Sequence, residues 1–238
     1  MRLRVVACEV FFREICALAA QCPNLLDLIF LPKGLHDRKS AEMRAALQQV
    51  VDDTPTGFDA VVFAYALCGN GLAGIEARSI PVVIPRAHDC IALFLGSRHK
   101  YQDYFDGNPG VYFKTPGWIE RGGTVDRQLT GFDLDRRKLA EKYGEENADY
   151  LMEQMGRHTQ TYRQFTYIRT GTGLDGQFET TTRSDAAARG WQFESVPGDL
   201  GILERLLAGD WQSDDFVQVP PGWTLAATWD ERIMEAKQ

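Results

Sequence analysis

The sequence predicts an α/β protein built on a Rossmann-like parallel sheet, arranged as two α/β lobes joined by a helical, loop-rich segment. Three observations carry this. Short Val- and Leu-rich runs that read as buried strands alternate with stretches of helical spacing. The alternation breaks near Asp106 and resumes at Phe165. Pro and Gly clusters mark the breaks. The expected divisions are an N-terminal lobe over 1–115, connecting loops and helices over 116–160, and a C-terminal lobe over 161–238.

Taken in order, Leu3–Cys8 reads as a strand, Phe11–Ala20 as a helix, and Leu25–Leu31 as a strand closed by Pro32 and Gly34. Ser40 is placed to cap a helix running to Val51, with Met43, Leu47, Val50 and Val51 on its apolar face. Asp59–Ala64 is a third strand, Gly71–Arg78 a short helix, Ile80–Pro85 a fourth strand, and Ile91–Leu95 the start of a further helix. The stretch with Gly107-Asn108-Pro109-Gly110 and Pro116-Gly117-Trp118 reads as loops, and Leu134–Arg157 as charged helices joined near Tyr143-Gly144. Then follow a strand at Phe165–Arg169, a helix at Ser184–Arg189 stopped by Gly190, and a strand at Gln192–Val196. A helix at Leu200–Ala208 ended by Gly209, a strand at Phe216–Val219, and a polar tail read as a short helix over Asp230–Gln238 complete the chain.

Composition narrows the function. The 238 residues carry 26 Lys plus Arg against 33 Asp plus Glu, a formal charge of -7 and a pI of about 5.2. No basic block is present, which argues against binding to a phosphate backbone. No apolar run reaches the roughly 18–20 residues that span a bilayer. Ala7-Cys8 loosely resembles a lipoprotein cleavage site, but the apolar stretch before it is too short for a signal peptide, so the expected location is the cytoplasm. There thiols serve as core, ligand or reactive groups rather than in bridges, and an odd count of 5 Cys forbids complete internal pairing.

In an open parallel sheet, ligands bind beyond the carboxyl ends of the strands. Cys8 ends the first strand, Cys68 follows the third, and His88 and Cys90 follow the fourth, so all four are expected at one edge. Thiolate and imidazole are preferred zinc ligands, and three protein ligands with an open position mark a catalytic site. Cys8, Cys68 and Cys90, with His88 as a fourth or alternative ligand, are therefore the candidate metal set; three Cys could equally hold an iron–sulfur cluster. Singly, each Cys fits a core position better than a ligand role, and it is their joint place at one edge that supports the site. His36, after the second strand, reads as a solvated loop residue, and His99 and His158 carry no site reading.

Glu9 and Asp89 are the candidate acid–base residues. Glu9 serves equally as a carboxylate favoured at a helix start. Asn70, Arg86 and Tyr65 are candidate cofactor contacts: Asn70 through its side-chain amide or simply as a turn former, Arg86 on a carboxylate or phosphate or paired with Asp89, and Tyr65, with Trp118, as pocket wall or core. Gly171-Thr172-Gly173-Leu174-Asp175-Gly176 is a G-x-G-x-x-G after a strand, with Glu194 about 20 residues on. A dinucleotide loop must open a helix directly, and Phe178–Thr182 is expected to intervene, so this stretch reads as a flexible glycine loop.

His88-Asp89-Cys90 with a distant Cys resembles, in pattern only, the zinc ligands of thiol-activating methyltransferases, where the metal lowers a substrate thiol's pKa. More broadly, Ala7-Cys8-Glu9, Leu31-Pro32-Lys33-Gly34-Leu35-His36, Tyr65-Ala66-Leu67-Cys68-Gly69-Asn70-Gly71 and Pro85-Arg86-Ala87-His88-Asp89-Cys90 resemble domain-of-unknown-function family 1638. Leu95-Gly96-Ser97, Thr115-Pro116-Gly117-Trp118, Gly198-Asp199-Leu200 and Val219-Pro220-Pro221-Gly222 extend the resemblance over nearly the whole chain, more loosely in the second half. It implies no settled activity. It implies a context beside corrinoid-dependent methyltransferase systems of one-carbon metabolism, with a corrinoid protein or methyltransferase as partner.

The resulting expectation is zinc-assisted thiol activation for methyl transfer, as the enzyme or its accessory subunit, on a small-molecule ligand and without nucleic acid or membrane. The rivals are a metal-dependent hydrolase with Glu9 as base, and a two-lobed protein that binds a small ligand, a corrinoid or an iron–sulfur cluster without catalysis.

Overall fold

Runs of β-branched, Leu and aromatic residues form the strands of one sheet: β1 (Arg2–Cys8), β2 (Leu25–Leu31), β3 (Ala60–Ala64) and β4 (Val82–Pro85). They lie parallel in the order β2-β1-β3-β4, and β8 (Phe216–Val219) closes the β4 edge antiparallel. Every residue of β3 and β4 is buried, the mark of strands covered on both faces. The computed structural model of the chain describes residues 1–122, 136–156 and 161–238.

The connections are helical. α1 (Phe12–Ala19) follows β1 through a 3-10 turn at Glu9–Phe11, and α2 (Ser40–Asp52) buries Met43, Leu47 and Val51 at four-residue spacing. The residue capping α2 is Lys39, not Ser40; the Ser40 hydroxyl donates instead to the Gly69 carbonyl at 3.0 Å, tying α2 to the loop after β3. α3 (Cys90–Phe94) starts directly after the β4 loop, and α4 (Arg98–Gly107) follows.

The stretch expected to be loops holds a strand and a helix, and that strand joins the two strands expected at Phe165–Arg169 and Gln192–Val196 in a second parallel sheet. β5 (Val111–Lys114) pairs with β6 (Gln164–Arg169), which pairs with β7 (Gln192–Pro197). Between them run α5 (Pro116–Arg121), α6 (Arg136–Tyr143) and α7 (Glu145–Gly156), the last two joined at Gly144 with φ +84°. The remainder of the expected Leu134–Arg157 helices, and His158, lie outside the described residues. The expected helix at Ser184 begins much earlier, as α8 (Asp175–Arg189), and ends where Gly190 adopts the left-handed conformation. α9 (Gly201–Ala208) packs on α1 and ends at left-handed Gly209.

Two further expectations are corrected. Gly71–Arg78 is not a helix, because its backbone groups bond elsewhere: the Gly74 and Ala77 amides donate to the Leu225 and Trp223 carbonyls, and the Leu225 amide donates to Ile75. The tail is not a helix either. β10 (Met234–Lys237) pairs antiparallel with β9 (Thr224–Ala227), burying Met234.

β5 lies within 1–115 yet joins the second sheet, and β8 lies within 161–238 yet joins the first. The two sheets thus exchange strands across both expected boundaries. One apolar core runs through the first sheet and on to Val111, Phe113 and Ile168 of the second. Among the described residues, no helix is long and apolar enough to cross a membrane.

Candidate functional site

The order β2-β1-β3-β4 reverses direction between β1 and β3, and such a switch point opens a crevice at the carboxyl ends of those strands. Cys8 is the last residue of β1 and Tyr65 the first after β3. Beyond β3 the loop runs beside the one after β4: the Leu67 amide donates to the Ala87 carbonyl and the Cys68 amide to the His88 carbonyl, each at 2.9 Å. This pairing carries Cys68 alongside His88-Asp89-Cys90. Cys68, Gly69 and Asn70 then take φ of +47°, +63° and +67°. Left-handed backbone at a cysteine is strained and persists only where its surroundings enforce it.

The three thiols sense one another. Burial pushes the Cys8 thiol up to about 11, with the Glu9 charge adding to it. Burial likewise raises Cys68 to about 12, with Cys8 and Asp89 adding to it, and holds Cys90 well above the ordinary thiol range, with Cys68, Asp89 and Cys8 contributing. Part of the Cys68 residue reaches the surface, but its thiol is desolvated. All five cysteines are free, and at neutral pH these three are protonated thiols rather than nucleophilic thiolates. Cys16 is half-buried on α1, and Cys22 donates to the Leu207 carbonyl, both away from the cluster.

The histidine against the thiols is His36. It sits in a 3-10 turn at Lys33–Asp37, half-buried, with Nε2 3.5 Å from Cys8 Sγ, rather than in solvent as its loop position suggested. The Tyr65 ring stacks on it at 6.2 Å between centroids. Tyr65 itself is 1% exposed, and its hydroxyl has no oxygen or nitrogen partner; its nearest electrostatic neighbours are Cys8 and Cys68. His88 contributes its carbonyl to Cys68, while the residue is exposed.

The other expected site residues separate. Both oxygens of Glu9 are engaged: Oε1 accepts the Lys33 amide at 2.7 Å and Oε2 lies 3.9 Å from Arg121. Glu9 therefore pins the turn that carries His36 onto the end of β1. Asp89 caps α3, accepting the Ile91 amide at 2.9 Å. Asn70 is exposed in the left-handed run. Arg86 points to the C-terminal hairpin, donating to the Arg232 and Met234 carbonyls, with Asp214 3.6 Å from its Nε. Arg86→Ala is expected to lower stability by about 2 kcal/mol, the scale of lost charged hydrogen bonds. Urea unfolding checks this, and an unchanged midpoint would show that the hairpin docks without Arg86.

Cys90 and Asp89 open on a cleft of about 530 Å3. Tyr101 and Phe105 of α4, Tyr112 and Phe113 of β5, and Trp118 of α5 wall it, so both sheets contribute. Trp118 also lies within hydrogen-bonding reach of the Cys90 sulfur. These aromatic positions, Trp118 apart, were not singled out from the sequence. The signal was Val111-Tyr112-Phe113 between two glycine–proline breaks, a strand shorter than the usual five or six residues.

The Gly171–Gly176 loop does lead directly into a helix, contrary to expectation, yet its donors are spoken for. The Asp175 carboxylate accepts the Thr170 and Gly171 amides and the Tyr167 hydroxyl. Glu14, fully buried on α1, accepts the Thr170 and Thr172 hydroxyls. Two carboxyl groups thus occupy the donors that a phosphate would need. Glu194, mid-strand opposite Thr166, accepts the Tyr104 hydroxyl rather than facing the loop.

Among the described residues, no group of three or more His, Cys, Asp or Glu is spaced to hold a metal as it stands. Comparison with curated proteins and with solved structures returns no match. The sequence profile of one family, described as a protein of unknown function (DUF1638), matches residues 30–207, which include Cys68, Cys90, His36 and most of the cleft. The chain belongs to that family.

Proposed function

We propose that Cys8, Cys68 and Cys90 bind a thiophilic metal, zinc foremost and an iron–sulfur cluster as the rival, and that the centre serves methyl transfer to a thiol in or beside a corrinoid-dependent system. The carrying observation is the meeting of three desolvated thiols at the switch point, with His36 Nε2 3.5 Å from Cys8 Sγ. His36 replaces His88 as the fourth candidate ligand on that distance. The Tyr65 hydroxyl, buried with no oxygen or nitrogen partner and in hydrogen-bonding reach of the Cys8 thiol, fits a site that gains a polar occupant.

The chain's own chemistry favours the fit. Buried thiols without a compensating charge hold their protons; a dication replaces those protons and removes the penalty of burying thiolates. Bound zinc would supply thiolate activation at neutral pH. The left-handed loop at Cys68 lets that ligand close toward the other two, which the present spacing requires. Glu9 holds the His36 turn in place, and its engaged oxygens weigh against a role as hydrolytic base. Cys90 and Asp89 open on the aromatic cleft, where a small ligand would meet the centre. A reducing cytoplasm suits free thiols of this kind.

Elemental analysis of anaerobically purified protein tests the reading. One equivalent of zinc, lost in Cys68→Ala plus Cys90→Ala and reduced in His36→Ala, is the expected result. Visible absorption separates a coloured cluster from colourless zinc. Metal that survives the double substitution, or none in the wild type, would refute it. With methylcobalamin as donor, thiol methylation should fall in Cys90→Ser; equal rates in both proteins remove the methyl-transfer part alone.

A further inference from the structure

We propose that the cleft beside Cys90 binds an organic cation, an alkylated ammonium whose head sits between the Asp89 carboxylate and the rings of Tyr101, Phe105 and Phe113. The inference takes the cleft from the proposed function and does not depend on its metal.

The argument starts from what the walls can offer. Asp89, Tyr101, Phe105 and Phe113 line the cleft, and no Lys, Arg or His is among the described residues that do. Tyr101 contacts Phe105 at 5.8 Å and Phe113 at 5.9 Å between centroids, so three rings form one continuous wall. The Tyr101 hydroxyl lies within hydrogen-bonding reach of Asp89, which places the carboxylate at the edge of that wall. Asp89 Oδ1 accepts the Ile91 amide, which fixes the carboxylate at the start of α3. Aromatic faces grouped about one carboxylate, in an apolar recess, attract a cation that is itself apolar at its surface. An alkylated ammonium has that property, whereas a bare ammonium would lose more hydration than the rings return.

The positive charges nearby fix where the head lies. Lys33 Nζ stands over the Trp118 ring at 4.9 Å, and Lys114 Nζ lies 5.4 Å from the centroid of Tyr112. Those two rings already serve lysines, and the lysines repel a second cation. The Asp89 end has no such neighbour among the lining residues. The volume of about 530 Å3 lies in the range of small-molecule sites and leaves room for a substituent toward Trp118 and Cys90.

Three probes of one shape test this: choline, its uncharged carbon isostere 3,3-dimethylbutan-1-ol, and the anion 3,3-dimethylbutanoate. Calorimetric titration of the whole chain is expected to show choline binding about tenfold or more tighter than the alcohol, with the anion weakest. Asp89→Asn keeps the α3 cap, since Asn caps as well as Asp, and should abolish the preference for choline over the alcohol. Tyr101→Leu should weaken choline more than the alcohol. Equal affinity for choline and the alcohol, tighter binding of the anion, an Asp89→Asn protein that keeps the preference, or no heat with choline at millimolar concentration would each overturn the assignment. Repeating the titration after chelator treatment separates the two proposals. Choline binding should persist there whatever the zinc content, and zinc content is read without choline.

Discussion

Gly117→Ala is expected to lower the stability of the chain by about 3 kcal/mol or more. Gly117 is buried in the first turn of α5, against the 3-10 turn at Glu9–Phe11. A methyl group there would stand 1.7 Å from the Val10 carbonyl oxygen and 2.5 Å from its carbon. These are backbone atoms, fixed by β1 on one side and α1 on the other, so no side chain can rotate away. Relief requires α5 to lift as a body from the end of β1. For a chain of this length the loss corresponds to about 10 °C in the thermal midpoint. The adjoining Trp118 would move with the helix and leave Cys90, so the tryptophan emission should shift toward the red. A midpoint within a degree or two of wild type would show that α5 does not rest on Val10 as described.

The second large effect concerns Glu14. Its carboxyl is wholly buried, and burial raises its pKa, only partly offset by the hydroxyls of Thr170 and Thr172. An acid whose folded-state pKa is raised binds its proton more tightly folded than unfolded. Its favourable contribution is fully present below the unfolded pKa and is lost as pH rises through the folded value. Wild type should therefore lose stability between about pH 4.5, the ordinary carboxyl value, and neutrality through this group. Glu14→Gln keeps the shape and an acceptor for Thr170 without the charge. Its stability relative to wild type should rise from acid to neutral pH, as urea unfolding at the two ends of the window would show. Glu14→Ala instead removes the bonds between α1 and the loop after β6 and leaves a cavity, costing about 2 kcal/mol or more at either pH. A constant offset between Glu14→Gln and wild type across the window would mean that Glu14 binds its proton no more tightly in the folded chain than in the unfolded one.

The first sheet is readable in the chain because its strands are long enough, or apolar enough, to stand out: Leu25–Leu31 is nearly all hydrophobic, and β3 carries no polar residue. β5 is missed because four residues between turn signals offer little period to detect, and β10 because Met-Glu-Ala-Lys has the composition of a helix. There the partner strand decides the conformation, and local preference does not. At the site, the strand-end rule finds Cys8, Cys68 and Cys90, because a backbone position fixes which edge a residue occupies. It does not choose between His36 and His88. That depends on which way each side chain leaves its turn, and the Glu9–Lys33 bond that turns His36 inward joins residues from two separate loops. The direction of Arg86 is hidden for a similar reason, since the carbonyls it serves lie at the far end of the chain.

The antiparallel pairing of β8 on β4 sets the order in which the molecule can be made. Val82 meets Val219, so the first sheet stays open at that edge until the chain has been made past Val219, more than 130 residues after β4. Meanwhile β4, apolar throughout, offers unpaired amides and carbonyls to any passing strand. The second sheet, including its own long-range pairing of β5 with β6, is synthesised during that interval. Such distant closure slows folding and lengthens the exposure of a sticky intermediate. A chain truncated before Phe216 should thus be captured by chaperones or aggregate, even though it retains every residue of the thiol cluster.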